Sequence, residues 1–129
     1  MGISNTLKKC PTLVSMKQNV TERLNNIENC YPQVKSAVDG KLRPKGYLVI
    51  DEKYSPEVFG NRYATWSNKI DAIRLIWDGK DDWFYLNATH TPPFDWKANW
   101  KVLIYIPYLR EHDLEYAKSI PGKIVATLD

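Results

Sequence analysis

The sequence predicts an α+β domain. Its core is a mostly antiparallel sheet of five or six strands, with an N-terminal helix packed on one face and a second helix near the C-terminus. Three observations predict it. Leu13, Met16, Val20, Leu24, Ile27 and Tyr31 recur at steps of three and four, the spacing of one helical face. Ile70 to Asn87 has the pattern of a β-hairpin. Several strand-like segments follow one another directly, and consecutive strands pair antiparallel.

The 129 residues suffice for one globular domain over 1–129, with 1–10 a loose start. Pro11 and Thr12 suit a helix start, and Tyr31-Pro32 reads as its stop. Gln33 to Val38 then reads as a short helical turn ended by Asp39-Gly40. Tyr47 to Asp51 reads as a strand. Ser55-Pro56-Glu57 looks like a capped helical turn closed by Gly60. Asn61 to Trp66 alternates, with Arg62, Ala64 and Trp66 on one side.

In the central hairpin, Ile73, Leu75 and Trp77 alternate with Arg74 and Ile76. A two-residue turn at Asp78-Gly79 would set Asp82 against Leu75 and bury a carboxylate. A four-residue turn, Asp78 to Asp81, pairs Leu75 with Phe84 and Ile73 with Leu86. It pairs Arg74 with Tyr85 and Ile76 with Trp83 on the other face. The first face is predicted to be the core. The second is amphipathic, open to a helix or a partner.

Ala88 to Asn99 is long for a connection and rich in aromatic area: His90, Phe94 and Trp96, next to Trp100. It either covers the core or presents its rings to a ligand. Trp100, Val102, Ile104 and Ile106 are predicted to share one face of a further strand. Leu109 to Ile120 reads as the second helix, with Leu109, His112, Tyr116 and Ile120 on one side and Pro121-Gly122 as its stop. Lys123 to Leu128 reads as a last strand.

Hydrophobic residues make up 43% and charged residues 26%, ordinary for a soluble domain. The longest apolar stretch, Val102 to Ile106, is strand-sized, so no membrane span is expected. The N-terminus lacks the apolar core of a signal peptide. Cys10 and Cys30 lie about 30 Å apart if the helix between them is continuous. They are expected to be reduced, which fits a cytoplasmic protein. The net charge of +3 is too small to imply nucleic acid by itself.

No phosphate loop, C-x-x-C, H-E-x-x-H or G-x-S-x-G is present. No cofactor or metal is expected. The acidic turn D-G-K-D-D lacks the closing glutamate of a calcium loop. The preferred reading is a small cytosolic protein-binding module without catalytic activity. A compact domain with an acidic turn and an aromatic loop has the general profile of bacterial immunity proteins that inhibit a toxin, an analogy of architecture. Its partner-binding residues would be Asp78, Asp81, Asp82, Trp83, His90, Phe94 and Trp96, since aromatic anchors dominate binding energy.

One alternative is an anionic polymer, such as nucleic acid, bound through Lys41, Arg43, Lys45, Lys97 and Lys101. Another is a small enzyme using His90 and His112, which requires the two imidazoles to meet. The chain is expected to be a monomer, or a homodimer through an uncovered sheet face.

Overall fold

The computed structural model describes residues 30–107 and 114–129. Cys10 and the N-terminal stripe up to Ile27 fall outside these residues, as do Leu109 and His112. The described elements are α1 (30–42), β1 (Leu48–Ser55), β2 (Asn61–Ser67), β3 (Ala72–Asp78), β4 (Trp83–Thr89), β5 (Lys101–Pro107) and α2 (Leu114–Val125). Short 3₁₀ turns follow each helix, at Arg43–Lys45 and Ala126–Leu128. The five strands form one antiparallel sheet in the order β1-β2-β3-β4-β5. The α+β architecture stands, with five strands.

The inner face of the sheet carries Ala64 and Trp66, then Ile73, Leu75 and Trp77, then Phe84, Leu86 and Ile106, all buried. Both helices contribute to the same apolar cluster. In α1 the buried positions are Tyr31, Val34, Val38 and Leu42, spaced at three and four. In α2 and the turn after it they are Ala117, Ile120, Ile124 and Leu128. Each fully buried large side chain in such a cluster contributes roughly 1.5–3 kcal/mol. Directed contacts fix α1 on the sheet. Trp66 Nε1 donates to Asp39 Oδ1 at 2.9 Å, and Tyr31 stacks on Phe84 with centroids 6.5 Å apart.

Four sequence expectations are corrected. Tyr31-Pro32 is no helix stop, since residues 30–42 are helical, through Gly40. The buried row from Tyr31 to Leu42 outweighs the weak helix formers within it. Gly46, at φ 88°, is the glycine that terminates this segment, its N–H donating to Arg43 O at 2.9 Å. Ser55-Pro56-Glu57 begins no helical turn: β1 runs through Ser55, and 56–60 is the hairpin turn into β2. Lys123 to Leu128 is no strand. Residues 117, 120, 124 and 128 form one helical stripe across Pro121-Gly122, and burying it outweighs the proline.

The fourth correction is the register of the central hairpin. Leu75 pairs with Leu86, Trp77 with Phe84 and Asp78 with Trp83, two residues from the predicted pairing. Arg74 faces Asn87 and Ile76 faces Tyr85. The loop is 79–82, because the Asp78 side chain closes it: Oδ1 accepts the N–H groups of Lys80 at 3.0 Å and Asp81 at 3.2 Å. A shift of two leaves every side chain on its predicted face. The core face is therefore as expected.

Candidate functional site: the outer sheet face

The helices leave the other face of the sheet uncovered by either of them. Across it lie Asp51 and Lys53 of β1, Tyr63 and Thr65 of β2, Arg74 and Ile76 of β3, and Trp83 and Tyr85 of β4. The fifth strand adds Val102 and Tyr105. Tyr105 faces this side by alternation with Ile104 and Ile106 and pairs with Tyr85, whereas a bulge at Leu103 brings Val102 there: Leu86 pairs with Ile104, but Asn87 pairs with Val102. The prediction that Val102 shares a face with Ile104 and Ile106 is thus corrected.

Two regions form on this face. The first is a group of rings over β4 and β5. Trp83 stacks on Tyr105 at 5.1 Å between centroids, and Tyr85 lies 6.0 Å from Trp83 and 6.3 Å from Tyr105. Tyr105 is 54% exposed. The acidic turn adjoins this group. The Tyr85 phenol is held above its usual range, first by burial and then by the charges of Asp78 and Asp81.

The second region is a groove of about 500 Å³ lined by residues of β1, β2 and β3 together with Asp95 and Trp96. Arg74 is its fixed point. This buried guanidinium lies 4.4 Å from the Trp100 ring centroid and 5.1 Å from that of Tyr63. Its Nε donates to Thr65 Oγ1 at 2.8 Å and one terminal nitrogen to Phe94 O at 3.3 Å. Burial lowers its pKa, and the charges of Asp51 and Asp95 oppose that shift, together with Tyr63.

The 90–100 connection lies against Arg74 on the outer face of the sheet and adds no residue to the buried core cluster. Trp100 folds back over Arg74, its Nε1 donating to Asp95 O at 2.7 Å. Trp96 stands 77% exposed at the groove, with Lys97 Nζ 5.7 Å from its ring centroid.

The partner-binding residues predicted from sequence divide by position. Asp78, Asp81, Asp82 and Trp83 share the acidic end of the hairpin, and Asp78 and Trp96 line the same groove. Phe94 serves through its backbone carbonyl to Arg74. His90 lies apart, just past the other end of β4, about 20 Å of strand from Trp83. There its Nδ1 meets Asp71 Oδ1 at 2.6 Å. His112 lies outside the described residues, so the two-histidine arrangement has no geometry here.

The basic cluster is tied into the fold. Lys41 pairs with Asp129, Arg43 Nε with Asp39 Oδ2 at 2.7 Å, and Lys45 Nζ donates to Leu128 O at 2.5 Å. Lys101 is exposed at the start of β5, and Lys97 lies over Trp96.

Sequence reasoning missed Tyr63, Tyr85 and Tyr105. The alternation of Trp83 with Tyr85, and of Tyr105 with Ile104 and Ile106, was a usable signal for the first ring group. No helix among the described residues is long and apolar enough to cross a membrane. Neither a protein-family model, nor a curated protein, nor a solved structure matches this chain.

Proposed function

We propose that the chain is a small protein-binding module that acts without turnover, seating a partner on the outer sheet face. The observation that carries this reading is the stacked, solvent-facing group of Trp83, Tyr85 and Tyr105 beside the carboxylates of Asp78 and Asp81. Aromatic anchors flanked by charge are the usual energetic centre of a protein interface. The acidic rim favours a partner with a basic patch, and such charge complementarity raises the association rate. A cytosolic inhibitor of the immunity type, neutralising a toxin by covering its surface, is the finer form of this reading.

The polymer reading is weaker, because Lys41, Arg43 and Lys45 are each engaged within the fold. The test is affinity capture from the source cell with nuclease present, followed by titration of the purified partner. A stoichiometric protein that survives nuclease and moderate salt is expected. Trp83→Ala or Tyr105→Ala should weaken it by about 30-fold or more, the size of a hot-spot loss. Nucleic acid as the bound species, or affinity unchanged in both variants, overturns the reading.

A further inference from the structure

We infer that the groove between the first three strands and the 90–100 connection is a binding site for a neutral carbohydrate, with Trp96 as its stacking platform. This goes beyond the protein-binding reading and does not rest on it.

The volume comes first. About 500 Å³ lies within the range of small-molecule sites and holds about two or three sugar rings. Charge then narrows the ligand. Asp51, Asp78 and Asp95 bring carboxylates to the groove, and Lys53 and Arg74 bring cations; the Arg62 guanidinium lies on the opposite side of the sheet, over the rings of Tyr31 and Tyr54. Both signs are present. A phosphate or polyanion would meet three carboxylates, and a polycation would meet two basic groups. An uncharged polyol meets neither penalty, because each hydroxyl both donates and accepts. Its hydroxyls can donate to the carboxylates and accept from ammonium, guanidinium and the Asn61 amide. An apolar ligand would strand the same groups without partners.

Two side chains are prepared for this role. Arg74 is pinned by Thr65, Phe94 O and two flanking rings, so it needs no ordering on binding. A guanidinium has five N–H donors, and the two described bonds leave others to give. Lys53 makes no ion pair with any described residue. Trp96 is the other. An indole this exposed gains by covering its ring with an apolar surface, and the C–H face of a pyranose supplies one of matching area.

The test uses the full chain and a panel of neutral trisaccharides built from glucose, galactose, mannose and N-acetylglucosamine. Trigalacturonate and the glucosamine trimer serve as anionic and cationic controls. Binding is read by saturation-transfer NMR and titration. At least one neutral trisaccharide should saturate, with transfer strongest to one face of a pyranose ring. Trp96→Ala should weaken it tenfold or more, whereas Trp96→Phe, which keeps a ring, should retain it within about fivefold. Because Trp96 is exposed, Trp96→Ala should leave the circular dichroism spectrum and unfolding midpoint unchanged. No saturation by any neutral sugar up to about 20 mM, charged controls binding as tightly as neutral ones, or Trp96→Ala binding like wild type would each overturn the inference.

Discussion

Cys30 Sγ donates to Ala117 O across 3.8 Å, joining α1 to α2. That carbonyl belongs to the residue four before Pro121. Proline has no N–H, so the usual helical donor to Ala117 O does not exist. The thiol of the other helix occupies the position that a backbone amide would fill. The first prediction follows. Pro121→Ala restores the amide and removes the ring from the helix interior, and should raise stability by about 1–3 kcal/mol in urea unfolding. A neutral or destabilising result would mean that Pro121 shapes the stripe in a way its backbone chemistry does not capture.

The same burial makes Cys30 chemically inert. Burial pushes its thiol up to about 12, so the thiolate that thiol reagents need is scarce at neutral pH. In a Cys10→Ser background, Cys30 should resist a disulfide-exchange reagent at pH 8 while the protein is native and react promptly in denaturant. Rapid labelling of the native protein would contradict the packing of α1 on α2.

What the sequence revealed, and what it hid, follows from the range of the forces involved. Ile73, Leu75, Trp77, Phe84 and Leu86 were legible as one face because a period of two is a local signal. Their register was not, because the Asp78 side chain chooses the loop. The bulge at Leu103 leaves no local mark, so the turn of Val102 to the outer face was hidden. Ile124 and Ala126 fit a strand as well as a helix. Only the distant partners of Ala117 and Leu128 decide between them. The acidic end of the site was visible because it is contiguous. The groove was invisible, since Asp51, Arg74 and Asp95 meet only in the fold.

Gly79 joins the two hairpin ends. Its N–H donates to Asn61 Oδ1 at 2.8 Å, and a Cβ there would stand 1.7 Å from Phe59 O. The glycine is required for this approach. Left-handed backbone falls instead on Asp82, at φ 58°, and on Phe59, at φ 57°. Gly79→Ala should therefore destabilise by roughly 1–3 kcal/mol, the range for overpacking. Asn61→Ala should lose about 1–2 kcal/mol. Thermal unfolding of both variants checks this, and an unaffected Gly79→Ala would refute the contact.

Asp39 makes acid stability readable at one residue. Hydrogen bonds from Arg43 and then from Trp66 hold its carboxyl below the usual carboxylate range. A depressed folded pKa contributes stability in full above the unfolded value, about 3.9, and loses it as pH falls through the folded value. The stability gap between wild type and Asp39→Asn should thus be constant from about pH 5 to 8 and shrink below about pH 4. Chemical denaturation across that range measures it, and a gap that varies near neutrality would assign the effect elsewhere.

Arg74→Lys keeps the charge and removes the planar fork. The ammonium cannot serve Thr65 and Phe94 O while lying between two rings. A loss of about 1–3 kcal/mol is expected. The 90–100 connection should also become easier to cleave in limited proteolysis. Cleavage no faster than in wild type would show that Trp100 holds the connection without Arg74.

The order of the strands has a consequence for how the chain assembles during synthesis. Every neighbour in the sheet is also the next strand in the sequence. Each hairpin can therefore close as soon as its second strand leaves the ribosome, and no strand waits for a distant one. The inner face, however, carries Trp66, Leu75, Phe84 and Leu86, and part of its cover arrives only with Ile120, Ile124 and Leu128. Until those residues emerge, the part of the inner face that α2 covers stays open to the cell. The interval between the completion of β5 and the docking of α2 is when a chaperone would find this protein.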